Sequence, residues 1–143
     1  NKWELALFFF DELQEHSIEP TEVTYGAAIN ACRRGYQWRL ALQIKDDMIE
    51  NGFRGNLVIW YGLIRTCDKC HQPELSLQLF GEMKRMGFQP DPLTYGALLR
   101  ACEKAGWWKR SLQLMQKMKS DGFNPDVAAY SDVVAALARG REH

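Results

Sequence analysis

A 35-residue register runs through the chain and leaves few folds open to it. VTYGAAINACRRG begins at Val23, VIWYGLIRTCDKC at Val58 and LTYGALLRACEKA at Leu93, each start 35 residues after the last, and AAYSDVVAALARG follows at Ala128. A second block keeps the same spacing: LALQIKDDMIENGF from Leu40, LSLQLFGEMKRMGF from Leu75 and RSLQLMQKMKSDGF from Arg110. Trp3 to Thr21 is a half-unit in that register. Aromatic residues share one column (Tyr25, Trp60, Tyr95, Tyr130), methionines another (Met48, Met83, Met118) and glycines a third (Gly52, Gly87, Gly122). A fixed period of this length marks a stack of supersecondary units, each burying its apolar face only against its neighbours.

Each unit reads as two helices. Val23, Tyr25, Ala28, Ile29 and Cys32 recur at three- and four-residue steps in the first, and Leu40, Ala41, Ile44 and Met48 do so in the second. The glycine column follows the second helix, where a left-handed cap is wanted, and Pro90 and Pro125 come three residues later, where no helix continues. Asp91-Pro92 and Asp126 then offer helix starts. The expected fold is all-α, a right-handed α-solenoid of 35-residue antiparallel helix pairs. Its divisions are a half repeat (1–21), three full repeats (22–56, 57–91, 92–126) and the first helix of a further one (127–143), so eight helices are expected. Trp3, Leu7 and Val134 would offer apolar surface at the ends, to be covered by further repeats of a longer array or by a partner.

Several functions are argued against by the residues themselves. With 143 residues and 46% hydrophobic content the chain can bury one core, but its apolar runs are too short to span a bilayer. It opens at Asn1 rather than methionine, so a missing leader says little about targeting. Eighteen Lys+Arg against eighteen Asp+Glu argue against a generic polyanion binder. TCDKCH, from Thr66, carries a haem-attachment spacing. However, Cys67 belongs to the column Cys32, Cys67, Cys102, while Cys70 and His71 stand opposite unlike residues, Gly35 and Ala105, Tyr36 and Gly106. A core cysteine with two incidental neighbours is the simpler reading, and one short Cys pair lacks the second ligand pair of a closed zinc site. The cysteine column should stay reduced, since packed helices lie about 8–10 Å apart and disulfide Cα atoms within about 7 Å. Expected metal ligands, cofactors and catalytic residues are none. Asp46-Asp47 and Asp11-Glu12 are adjacent rather than facing and read as a solvated outer face. The column Trp3, Trp38, Trp108 reads as packing between helices, and at most two of Phe8, Phe9 and Phe10 can face the stack.

A pair of the form V-T-Y-x-x-x-I-x-A-C-x-K followed by L-x-L-x-x-x-M-x-x-x-G-F-x-P-D resembles the pentatricopeptide-repeat family over essentially the whole chain. The tetratricopeptide alternative has a 34-residue period and a W-x₂-L-G-x₂-Y pattern that is absent here. The resemblance implies a groove lined by first helices that holds single-stranded RNA, one base per repeat, in mitochondria or chloroplasts. It implies base-reading pairs Gly26 with Asn56, Tyr61 with Asp91 and Gly96 with Asp126, with Ser131 as an opening residue lacking its partner, and wedges between bases at Val23, Val58, Leu93 and Ala128. The opening slot usually carries Asn, Thr or Ser; Gly26 and Gly96 supply no side chain, and Tyr61 either stacks on a base or fills the groove. By the family's pattern, a small residue with Asn favours adenine and with Asp guanine.

Charge placement tests this reading independently. Arg34, Lys69, Lys104 and Arg139 put a cation near the end of every first helix, at the repeat spacing, where each could meet one phosphate. The first-helix segments carry 8 Lys+Arg and 5 Asp+Glu, the remainder 10 and 13. A helix-dipole account would also want cations at the ends of second helices, where Glu50 and Asp121 sit instead. The expected function is a non-enzymatic single-stranded RNA binder in organellar RNA processing, stability or translation. The alternative is a helical-repeat scaffold or structural subunit of an organellar assembly such as a ribosome, contacting protein or rRNA.

Overall fold

The computed structural model describes residues 1–140. Among them are eight α-helices: α1 (Lys2–Glu15), α2 (Glu22–Arg34), α3 (Trp38–Glu50), α4 (Leu57–Lys69), α5 (Pro73–Arg85), α6 (Pro92–Ala105), α7 (Trp108–Ser120) and α8 (Val127–Arg139). They fall into two compact units, Asn1–Cys70 and His71–His143. In the first, α2 packs against α1, α3 and α4; in the second, α6 packs against α5, α7 and α8.

Local chemistry fixes where each helix stops and starts. Gly52, Gly87 and Gly122 adopt φ of +88°, +93° and +91°, a backbone that side chains disfavour. In each case the next N–H reaches back to the buried methionine: Phe53 to the Met48 carbonyl, Phe88 to Met83 and Phe123 to Met118, all at 3.1 Å. This is the Schellman closure the glycine and methionine columns encode. First helices close the same way on Tyr36, His71 and Gly106, at φ +56°, +60° and +73°. New helices begin on side-chain caps: Thr21 accepts from Thr24 N–H, Asn56 from Ile59, Asp91 from Thr94 and Asp126 from Ala129.

The core consists of the repeated columns. Tyr25, Trp60 and Tyr95 are fully buried, with polar tips satisfied: Tyr25 donates to Asp47 Oδ2 at 2.9 Å, Tyr95 to Asp121, and Trp60 Nε1 to the Arg54 carbonyl at 3.0 Å. Asp47 is therefore not part of a solvated face, as its pairing with Asp46 had suggested. It is half-buried, and it also accepts from Gln14 Nε2 of α1 at 3.0 Å. Trp3 packs on the backbone of α2, so close to Gly35 that a Cβ there would meet its ring at 2.4 Å.

The apolar end surfaces differ in detail from expectation. Leu7 is only 8% exposed, because α1 turns Leu7 and Phe10 onto α2; Leu5, Phe8 and Phe9 are the exposed large apolar residues of that helix. The column Ile29, Ile64, Leu99 is 1%, 0% and 0% exposed, whereas its fourth member, Val134, is 65% exposed. Tyr130 and Leu137 are uncovered in the same way, because no helix among the described residues lies on that face of α8.

Burial predicts mutational cost within a single helix. Leu98→Ala, at 0% exposure, should lower unfolding stability by about 2–5 kcal/mol. Leu93→Ala, in the same helix but 65% exposed, should change it by less than about 0.5 kcal/mol. Urea unfolding followed by circular dichroism checks both; equal midpoints for the two variants would contradict the assigned core.

Candidate nucleic-acid interface

In the first unit, α2 and α4 enclose a cleft of about 450 Å³. Val23, Gly26, Asn56, Val58 and Tyr61 all line it, so two opening positions, the closing position of the first and two wedge positions share a single space. A stripe at three- and four-residue steps along α2, Val23-Gly26-Asn30-Arg33, forms one wall. Gly26 leaves room for a ligand: a Cβ there would only touch Ile59, at 3.4 Å. Val23 and Val58 are 83% and 78% exposed, costly for valines unless something covers them.

The closing residues cap helices, and each keeps a polar atom to spare. Asn56 Oδ1 accepts the Ile59 N–H at 2.9 Å, which fixes the amide orientation and leaves its NH₂ available. Asp91 Oδ1 accepts from both the Thr94 N–H, 2.9 Å, and the Thr94 hydroxyl, 2.7 Å. Asp126 Oδ1 accepts from the Ala129 N–H at 2.9 Å. In both aspartates the second carboxylate oxygen is the acceptor that remains. Gly96 has open space where its Cβ would be, and Leu93 and Ala128 are exposed. Asp126 and Ser131 line a separate cleft of about 750 Å³ on the open face of α8, with Tyr130 and Val134.

The four column cations differ in their surroundings. Arg34 and Lys104 are exposed. Lys69 is half-buried, its ammonium 5.9 Å from the centre of the Tyr36 ring. Arg139 Nη2 meets Glu103 Oε1 at 3.1 Å. Sequence columns missed Arg33: it lines the α2–α4 cleft and binds Asn30 Oδ1 through Nη2 at 2.7 Å and Nε at 3.2 Å. The signal was the helical step from Val23 and Gly26, since no counterpart recurs at Asp68 or Glu103 to make a column.

The cysteine motif resolves into three separate positions. Cys67 is 1% exposed in the core, Cys70 caps α4, and His71 supplies the left-handed residue that ends the helix. Among the described residues no three His, Cys, Asp or Glu side chains group so as to hold a metal ion.

Two family models of pentatricopeptide repeats match the sequence, one described as a pentatricopeptide repeat domain over residues 43–102 and 78–139, the other as a PPR repeat over 23–53. The helix-pair solenoid and these matches define the class, and the chain belongs to the pentatricopeptide-repeat family. Similar folds occur in the maize pentatricopeptide repeat protein PPR10, 22% identical over 98% of this chain, with a TM-score of 0.54. The same protein solved with an 18-nt psaJ RNA element gives 21% over 94% and 0.55. The PPR domain of Arabidopsis thaliana protein-only RNase P 1, solved with tRNA, gives 17% over 96%, a TM-score of 0.85 and 72% coverage of that domain's chain. The chain spans 25% of the maize protein's length. No curated protein matches the sequence.

Burial pushes the thiols of Cys32 and Cys67 up to about 12 and that of Cys102 to about 11. Because the folded pKa values are raised, the unfolded chain ionises first, so their contribution to stability is intact below about pH 8.5. It falls as pH rises from there toward 11–12. At pH 8, iodoacetamide should label Cys70 first and the other three only on unfolding; fast labelling of Cys67 would overturn its burial.

Proposed function

We propose that the chain binds single-stranded RNA along the face lined by its first helices, and acts in organellar RNA processing, stability or translation. The observation that carries this is the α2–α4 cleft, which gathers Gly26, Asn56, Val23, Val58 and Tyr61 around an unfilled space. RNA partners of the maize and Arabidopsis relatives support the reading by analogy of fold.

Capping gives the reading residues their chemistry. Asn56, its oxygen spent on Ile59, offers a donor to a base whose Watson–Crick ring nitrogen is unprotonated, adenine N1 or cytosine N3. Asp126 offers an acceptor to guanine N1–H or uracil N3–H. The glycine slots leave room for the larger base of each pair, so adenine is preferred at the first repeat and guanine at the third. With the RNA 5′ end toward the first repeat, the core is A-N-G. Tyr61 lines the first cleft and stacks on the base. The column cations, Arg34, Lys69, Lys104 and Arg139, meet the phosphates.

Salt tests the phosphate contacts. Four of them give a slope of log K against log[salt] of about −3, and Lys69→Ala should flatten it by about 0.7 while weakening all sequences alike. Unchanged affinity in the Lys69→Ala, Lys104→Ala double variant would favour the scaffold reading, in which the same face meets protein or rRNA.

Selection tests the base contacts. From a random RNA pool, Asp126→Asn should move the third-repeat preference from G toward A by about 1 kcal/mol, the low end for one edge contact. Retained affinity with no shift would leave only backbone binding.

A further inference from the structure

A third cleft, of about 560 Å³, lies between α5 and α7, on the second helices rather than the first. Its walls carry Phe80 and Leu114, with Gln78 and Gln113, and two cations, Arg110 and Lys117. Both cations break the repeat. Lys117 stands in a column that is otherwise acidic, Glu12, Asp47 and Glu82, and Arg110 in one that is otherwise Leu5, Leu40 and Leu75. Helix α7 as a whole holds Lys109, Arg110, Lys117 and Lys119 and no Asp or Glu, whereas the chain outside the first-helix segments is net acidic.

Neither Arg110 nor Lys117 has a carboxylate partner among the described residues. Arg110 is held by stacking, its guanidinium carbon 4.4 Å from the centre of the buried Trp107 ring. That orients the cation without neutralising it. Lys84 sits 4.5 Å from the Phe80 ring, and burial, followed by the neighbouring ammonium of Lys117, lowers its pKa, with Asp121 only partly opposing. Two crowded ammonium groups beside an apolar floor are relieved by an incoming anion.

We propose that the α5–α7 cleft docks an acidic peptide segment of a partner protein, carboxylates on Arg110 and Lys117 and a bulky apolar side chain against Phe80 and Leu114. The Gln78 and Gln113 amides can pair with a peptide backbone. Glu74, which also lines the cleft, repels a continuous polyphosphate more than a peptide whose carboxylates are spaced by apolar residues, which favours peptide over RNA. A protein bound there leaves the first-helix cleft free.

The test uses the full chain and a fluorescein-labelled synthetic peptide alternating Asp/Glu with Leu/Phe, read by anisotropy and by amide shifts of Gln78 and Gln113. Binding should shift those amides. The Arg110→Leu, Lys117→Glu double variant restores the residue types of the other repeats and so should keep its helical circular dichroism. It should lose at least about tenfold in affinity, while Lys117→Arg stays within about threefold of wild type. If the double variant unfolds, Lys117→Glu alone carries the comparison. Equal peptide affinity in wild type and variant overturns the proposal, as does an oligouridylate that moves the same amides more strongly than the peptide. Failure of RNA binding at the first-helix cleft leaves the result untouched, since the two readouts use different residues.

Discussion

The buried aromatic column is the constraint on which the helix pairs depend. A first helix cannot bury Tyr25 or Tyr95 against its neighbours unless the hydroxyl finds a partner, because an unsatisfied donor in the core costs about 1–3 kcal/mol. The partner lies in both cases in the last turn or cap of the following second helix, Asp47 with Asn51 or Asp121. One interaction thereby sets the depth of the first helix and the axial position of the second. Aromatic edges extend the same contact outward, Phe10 and Phe53 around Tyr25, and Phe80 and Phe123 around Tyr95, at centroid distances of 5.7–6.3 Å. With that register fixed, the methionine and glycine of each second helix fall where the chain must turn back.

Much of this was legible because repetition turns one sequence into several aligned observations. Helix order, the glycine closures, the Asp91 and Asp126 starts and the buried cysteine column all follow from columns. What escaped were features that belong to one repeat or to side-chain direction. Asp47 looked solvated because adjacency to Asp46 says nothing about which of two carboxylates turns inward. Leu7 looked terminal because position along the chain does not reveal which face of α1 meets α2. The wall residue in the α2–α4 cleft is Arg33, next to the Arg34 that the column singles out, and only the helical phase of Val23 and Gly26 distinguishes them.

The closing residues of the repeats are structural, which limits how they can vary. Asn56, Asp91 and Asp126 each cap a helix with one oxygen, and one polar side-chain atom of each is left over. An alanine at such a site costs about 1 kcal/mol of helix stability along with that atom. Exchange between Asn and Asp keeps the cap, since both accept the same backbone N–H, and inverts the remaining atom from donor to acceptor. A helix-pair repeat can therefore change the polar atom it presents without changing how it folds.

The opposite holds at the outer face. Lys117 does not reproduce the acidic side chain of its column, and Tyr95 turns to Asp121 where Tyr25 uses Asp47, one turn earlier in its second helix. With Asp121 at the C-cap as the anchor, this position carries no hydrogen bond to the buried ring. A lysine placed there buries no unpaired charge, because its ammonium lies exposed at the mouth of the α5–α7 cleft. The departure from the repeat is thus compatible with the core and unneeded by it, which is the physical condition under which a surface position is open to a partner.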